Sequence, residues 1–215
     1  DATYYGNYGT VFGSMTSGDL VDGQIGNSIE FDGSDDYDSV LNTASLNITG
    51  NQLTLEAWVY APIPNGDDSP FMVKGIADNQ EHYMLGIDGT ADDINTRIST
   101  TTGYHRDDQG TIQDEDLLPA LVQKTVYENG FTRFSSNADG ANLISTSGNL
   151  LMARRIDGGR FYEGRLDELR ISNVVRSSDW FRSQYNNHTD YDDLSFDFYT
   201  LGTEDATCAT LPSVV

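Results

Sequence analysis

The chain has a single cysteine, Cys208, among its 215 residues. No disulfide can form within it, so its stability rests on a packed core and not on covalent staples. Cys208 lies in Thr207-Cys208-Ala209-Thr210 near the C-terminus, where it reads as an inert or interchain thiol and not a nucleophile. Positive charge is also scarce: 12 Lys and Arg against 34 Asp and Glu give a net charge of −22. Nucleic acid and anionic membrane surfaces require basic patches, so neither is expected as a partner. There is no apolar run near the roughly 20 residues of a membrane span, and none is predicted. No secretory leader is visible, but the chain begins at Asp1 and not Met, so a processed or excised piece is expected. Repeats of fixed period are absent. His82, His105 and His188 are scattered, without metal-ligand spacing.

What is present is turn chemistry and short alternating runs. Glycine stands at 21 and tyrosine at 12. Such acidity suits salty or extracellular water and offers many sites where divalent cations can dock. Short strands read around Val11-Phe12, at Ile29-Phe31, from Tyr37 to Val40, and over residues 52–61, where Pro62 and Pro64 stop the run. Further strands read at Phe71–Lys74, His82–Ile87, Ile94–Ser99, Leu121–Tyr127, Phe131–Ser135 and Leu150–Arg154. Asn129-Gly130 is a hairpin signal, and Asp32-Gly33, Asp88-Gly89, Asp139-Gly140 and Asp157-Gly158 mark other turns. Trp58 reads either as a sugar platform or, as mid-strand tryptophans usually do, as a ring packed under a covering layer. One helix is predicted, Ser177–Tyr185, with capping residues at its start. An alternating run, Leu194–Leu201, reads as a last strand, and the C-terminal tail as a linker. Together these predict an all-β, two-sheet antiparallel sandwich or jelly roll with one short C-terminal helix.

The stretch Arg160–Asn173 poses the sharpest question. At period two, Asp167 shares a face with Leu169 and Ile171, while Leu166, Glu168, Arg170 and Ser172 share the other. A carboxylate among apolar residues is costly unless paired. Its partner is an arginine, a set of backbone N–H groups or a bound cation. Glu168 and Arg170 are expected to pair with each other.

Catalysis is not expected. Hydrolysis of a glycosidic bond by a retaining mechanism needs two carboxylates about 5–5.5 Å apart. Asp114-Glu115-Asp116 has no strand pattern, and Glu163, Asp167 and Glu168 lack the spacing. Binding is better supported, because aromatic faces with nearby hydrogen-bonding groups suit sugar rings. The candidates are His82 and Tyr83, Tyr104-His105-Arg106, and Arg154-Arg155 with Tyr162. Arg154 and Arg155 are equally readable as neutralising neighbouring Asp and Glu. Asn47-Ile48-Thr49 and Asn187-His188-Thr189 fit the glycosylation sequon.

The run Ile25–Tyr37, then Leu53–Val59, resembles the front half of laminin-G-like, concanavalin A-like jelly-roll modules. Ala153-Arg154-Arg155, Phe161–Asn173, Arg176–Trp180, Gln184–Asn187 and Phe198–Gly202 resemble the rear half of secreted bacterial and archaeal members. The resemblance covers roughly residues 1–204, leaving 205–215 as a tail. It implies two curved sheets, a concave face that often meets sugar, and a structural calcium. Asp32, Gly33 and Asp167 occupy the implied calcium positions, with Asp36 as a reserve ligand. Backbone N–H groups or Arg155 are the metal-free alternative for Asp167. The pattern departs at Leu117–Gln123, where relatives carry tryptophan and histidine, and at Phe134–Gly140, where a polar strand replaces an apolar one.

The expectation is a secreted or cell-surface, non-enzymatic binding module for carbohydrate or a cell-surface glycan, adhesive in character. The alternative is a structural subunit or spacer of a filament, surface layer or adhesin, touching neighbouring protein subunits and no sugar. A third reading is a degenerate glycosidase.

Overall fold

A strand that alternates apolar and polar residues buries one face, so such strands must stack in pairs of sheets. A computed structural model describes residues 2–61, 69–88, 93–108, 122–128, 131–138 and 141–189. Seven strands form one antiparallel sheet. Their spatial order is β1 (Gly9–Phe12), β4 (Tyr37–Val40), β12 (Leu150–Met152), β6 (Ser69–Gly75), β7 (Glu81–Asp88), β8 (Asp93–Thr100) and β9 (Gly103–Asp108). Four strands form the second sheet: β2 (Leu20–Asp22), β3 (Asn27–Asp32), β13 (Glu163–Ser172) and β5 (Thr54–Tyr60). A separate hairpin pairs β10 (Val122–Glu128) with β11 (Phe131–Ala138). The sandwich read from alternation is the fold.

The buried core divides into two clusters. Val40, Met72, Tyr83, Ile98 and Leu150 of the larger sheet pack with Leu46, Ile48 and Leu143, against Leu55, Ala57 and Ile171 of the smaller. Phe31, Phe71, Ala153, Tyr162 and Leu166 form the second cluster. Lys74 is fully enclosed as well. Its Nζ donates to Asn42 Oδ1 (2.7 Å), Thr146 O (3.1 Å) and Gly148 O (2.6 Å).

The helix α1 (Ser178–Thr189) starts where the capping residues put it, with Ser177 Oγ accepting from Trp180 N at 3.2 Å. It lies on the outer face of the four-stranded sheet. Trp180 Nε1 donates to Glu56 Oε1 (2.9 Å), and Tyr185 stacks on Trp58 with ring centroids 5.9 Å apart. Trp58 is thus a covered ring and not a sugar platform.

Two strands escape the alternation rule. β2 is three residues long, and β9, Gly103-Tyr104-His105-Arg106-Asp107-Asp108, is too polar to read as anything but a loop. The expected final strand at 194–201, the domain limit at 204, the tail with Cys208, and all but the last two residues of Leu117–Gln123 lie outside the described residues.

Candidate functional site

Two connections and the end of one strand converge on one end of the sandwich. The β3–β4 turn carries Asp32-Gly33-Ser34-Asp35-Asp36 from the smaller sheet to the larger, and the β12–β13 connection (residues 153–162) returns from the larger to the smaller. β1 arrives beside them, because Phe12 pairs with Tyr37 and Glu163 pairs with Asp32. Residues far apart in sequence therefore meet at this rim.

The acidic half of the rim is a built turn. Asp32 Oδ1 accepts from the backbone N–H groups of Ser34 (2.8 Å), Asp35 (3.3 Å) and Asp36 (3.5 Å). Partial burial works against the charge of Asp32, but these donors hold its carboxyl below the usual range. Asp36 is buried, and its Oδ1 accepts from Ser14 N (3.0 Å) and Ser14 Oγ (3.3 Å). Its carboxyl is pushed up, first by burial and then by the charge of Asp32. Carboxylate oxygens of Asp32, Asp35 and Asp36 all lie within 4.8 Å of one another. These three acidic residues can hold a metal ion. Asp35, which the resemblance did not supply, is the third member, and the run Asp32-Gly33-Ser34-Asp35-Asp36 already signalled it.

Asp167 is placed elsewhere. Asp167 pairs with Trp58 and Arg170 with Glu56, so Glu168 and Leu169 oppose the single residue Ala57. This is a β-bulge, with Glu168 at φ 49°. The extra residue moves Asp167 to the face opposite Leu166, Leu169 and Ile171, correcting the shared face expected from strict alternation. Asp167 is nonetheless buried, because the Gly23–Ile25 loop folds over it. Its Oδ2 accepts from Ile25 N at 2.9 Å. A Cβ at Gly23 would stand 2.7 Å from that oxygen, so the close approach requires glycine. Of the open alternatives, the backbone N–H is the contact observed, while Arg155 pairs with Asp78. Glu163, the register partner of Asp32, precedes Asp167 by four residues, roughly 13 Å along the strand at 3.3 Å each. The structure therefore does not bring Asp167 to the Asp32 turn. Glu168 and Arg170 pair as expected, at 2.5 Å.

The aromatic half of the rim gathers around Arg154. Phe12 stacks on Tyr37 (4.7 Å, 8°), and Tyr37 stands 6.3 Å from Phe161. The Arg154 guanidinium lies 4.4 Å from the centre of Tyr37 and 5.6 Å from that of Phe161. Phe12, Tyr37 and Phe161 had no signal in the sequence beyond being aromatic.

The other predicted binding residues scatter. His82 is fully buried, and its Nε2 donates to Ile48 O at 2.6 Å, which fixes the neutral tautomer. Burial, together with the Lys74 charge nearby, lowers its pKa. Tyr83 is a core residue whose hydroxyl donates to Leu46 O (3.2 Å), and Tyr162 is another whose hydroxyl donates to Tyr60 O (2.9 Å). None of these three is presented to a ligand. Tyr104, His105 and Arg106 stand on β9, with His105 Nε2 3.2 Å from Thr100 Oγ1. Arg155 joins a buried ion network: it pairs with Asp78, while Arg97 Nη1 reaches Asp78 Oδ1 (3.3 Å) and Glu81 Oε1 (3.0 Å). The Arg155 guanidinium holds Asp78 below the usual carboxylate range. Burial pushes the Tyr104 hydroxyl, beside this network, well above the phenol range.

Comparison with known families decides the lineage. The laminin G 3 family, described as the concanavalin A-like lectin/glucanases superfamily, matches residues 32–180. The chain belongs to this superfamily. No curated protein sequence matches it. Among solved structures, this laminin G-like domain is similar to the binding domain of Paraclostridial Mosquitocidal Protein 1 (TM-score 0.58, 13% identity, 85% of this chain and 48% of that one). It is similar to the binding domain of botulinum neurotoxin DC, solved in complex with rat synaptotagmin II (0.59, 9%, 84% and 46%). It also resembles Domain 4 of AbnA, a GH43 extracellular arabinanase from Geobacillus stearothermophilus solved with arabinotriose (0.57, 14%, 81% and 86%). The chain spans about half the length of the two toxin domains. At these identities the likeness is one of fold. No helix among the described residues is long and apolar enough to cross a membrane.

Proposed function

We propose that this domain is a non-catalytic extracellular binding module that takes a saccharide at the rim, with calcium on Asp32, Asp35 and Asp36. The observation that carries this reading is the convergence of an acidic turn and an arginine–aromatic cluster where two sheet-crossing connections meet. Hard carboxylate oxygens clustered on one turn are the donor set calcium prefers. The exposed ring of Phe12 beside a guanidinium suits a sugar, which has an apolar face and a hydroxyl edge. The solved arabinanase domain, bound to arabinotriose, shows a saccharide carried by the same fold.

A glycan array run with and without EDTA tests this. Binding that disappears on chelation supports the module and its calcium together. Glycan binding indifferent to EDTA keeps the saccharide and removes the calcium.

A second reading, a structural subunit of a filament or surface layer, is favoured by one observation. Among the described residues β1 is an edge strand, exposed along its whole length, with Val11 and Phe12 partly open to solvent. No glycan bound, with a polymer that grows with protein concentration in analytical ultracentrifugation, would select this reading.

A further inference from the structure

We infer that Arg154 is the anchor for the carboxylate of an acidic saccharide, one bearing uronic acid units. This rests on the saccharide reading above and narrows it to a ligand class. Four of the 12 basic residues in the chain, Arg154, Arg155, Arg160 and Arg165, fall within residues 154–165. This is a basic island in a protein of net charge −22. Two of the four are neutralised in place: Arg155 by Asp78 and Asp157, and Arg165 by Glu30 at 3.0 Å. Arg154 differs from them. Its guanidinium is held by Tyr37 and Phe161, and among the described residues it has neither hydrogen bond nor ion pair, its buried Nε included.

A cation held by ring faces keeps its N–H edge for another partner, and a guanidinium fork matches a planar carboxylate. The aromatic contacts also fix the side chain before the ligand arrives, which lowers the ordering cost of binding. Gly158 completes the hold. At φ 84° it lays backbone over the guanidinium so closely that a Cβ there would come within 2.7 Å of Arg154 Nη2.

The neighbouring charges set the ligand class. The acidic run Asp32, Asp35 and Asp36 ends one residue before Tyr37, so a dense polyanion such as a phosphate chain is repelled. A uronic acid carries one carboxylate per ring and leaves the remaining ring surface neutral. That spacing gives Arg154 its partner while adding little charge near the acids.

Isothermal titration with tetragalacturonate and with a neutral galactotetraose, in calcium, tests the inference. The wild type binds the acidic probe at least about tenfold more tightly, the scale of one charge-assisted hydrogen-bond pair. R154Q abolishes that preference and R154K restores part of it, with melting temperatures unchanged. G158A weakens the acidic probe without altering the charge. Should R154Q fail to fold, R154K gives the same readout through its intermediate preference. Equal or tighter binding of the neutral probe overturns the inference and leaves the saccharide reading standing. Wild-type affinity for tetragalacturonate in R154Q does the same. Failure of both probes, with an empty glycan array, removes the inference and the reading beneath it.

Discussion

The buried network around Arg97 and the rim around Arg154 are built from the same residue types and solve charge in opposite ways. In the network, cations and anions alternate: Arg155, Asp78, Arg97 and Glu81 touch in sequence, and Arg97 and Glu81 are sealed from solvent. At the rim, the carboxylates gather on one turn and the guanidinium rests on aromatic rings. Paired charges neutralise each other, even though Glu81 Oε2 and Arg155 Nε make no hydrogen bond. Separated charges of the rim stay available, the acids for a cation and Arg154 for an anion. Local pairing is therefore the feature that distinguishes structural charge from charge available to a ligand.

The largest test of this contrast is removal of Arg97. The Arg97→Met variant leaves Glu81 buried without its cation, and a loss of about 3–5 kcal/mol is expected in urea unfolding, independent of calcium. A smaller loss would mean that the network is hydrated and not sealed.

Next in size is Asp167→Asn, which weakens the bond from Ile25 N and costs about 1–3 kcal/mol. The loss should be the same with calcium and with EDTA. Asp36→Asn should behave differently, abolishing the calcium-dependent rise in melting temperature. If Asp167→Asn alone removes that rise, the ion lies on β13 and not at the Asp32 turn.

The smallest effect concerns the other enclosed cation. Burial lowers Lys74 to about 8, although three oxygens receive its protons. From that pH up to the ordinary lysine value the unfolded chain binds more protons, so stability rises with pH. The gain is on the order of 1 kcal/mol, and it reverses where Tyr83 and Tyr162, whose buried hydroxyls hold their protons above the usual range, begin to ionise in the unfolded chain. Melting curves from pH 7.5 to 10.5 read this slope, and Lys74→Met should flatten it.

Much of the fold was legible because alternation and turn residues are local signals. The strands at Ile29–Phe31, Tyr37–Val40 and Thr54–Tyr60, and the helix behind Ser177, lie where residue pattern puts them. The site was less legible for three physical reasons. The bulge at Glu168 has no glycine to announce it, so the face of Asp167 was misread. His82, Tyr83 and Tyr162 are polar-aromatic residues whose polar atoms bond to backbone carbonyls inside the core, a use that looks identical to a binding site in sequence. Phe12, Tyr37 and Phe161 meet only through the strand order β1–β4–β12, which no local pattern contains.

The two crossings at the rim carry a mechanical consequence. A ligand gripped between the Asp32 turn and Arg154 is fastened to both layers at once, at the ends of their strands. Tension from a tethered surface would then enter each ladder lengthwise and be shared by many hydrogen bonds in shear, instead of peeling one edge open bond by bond.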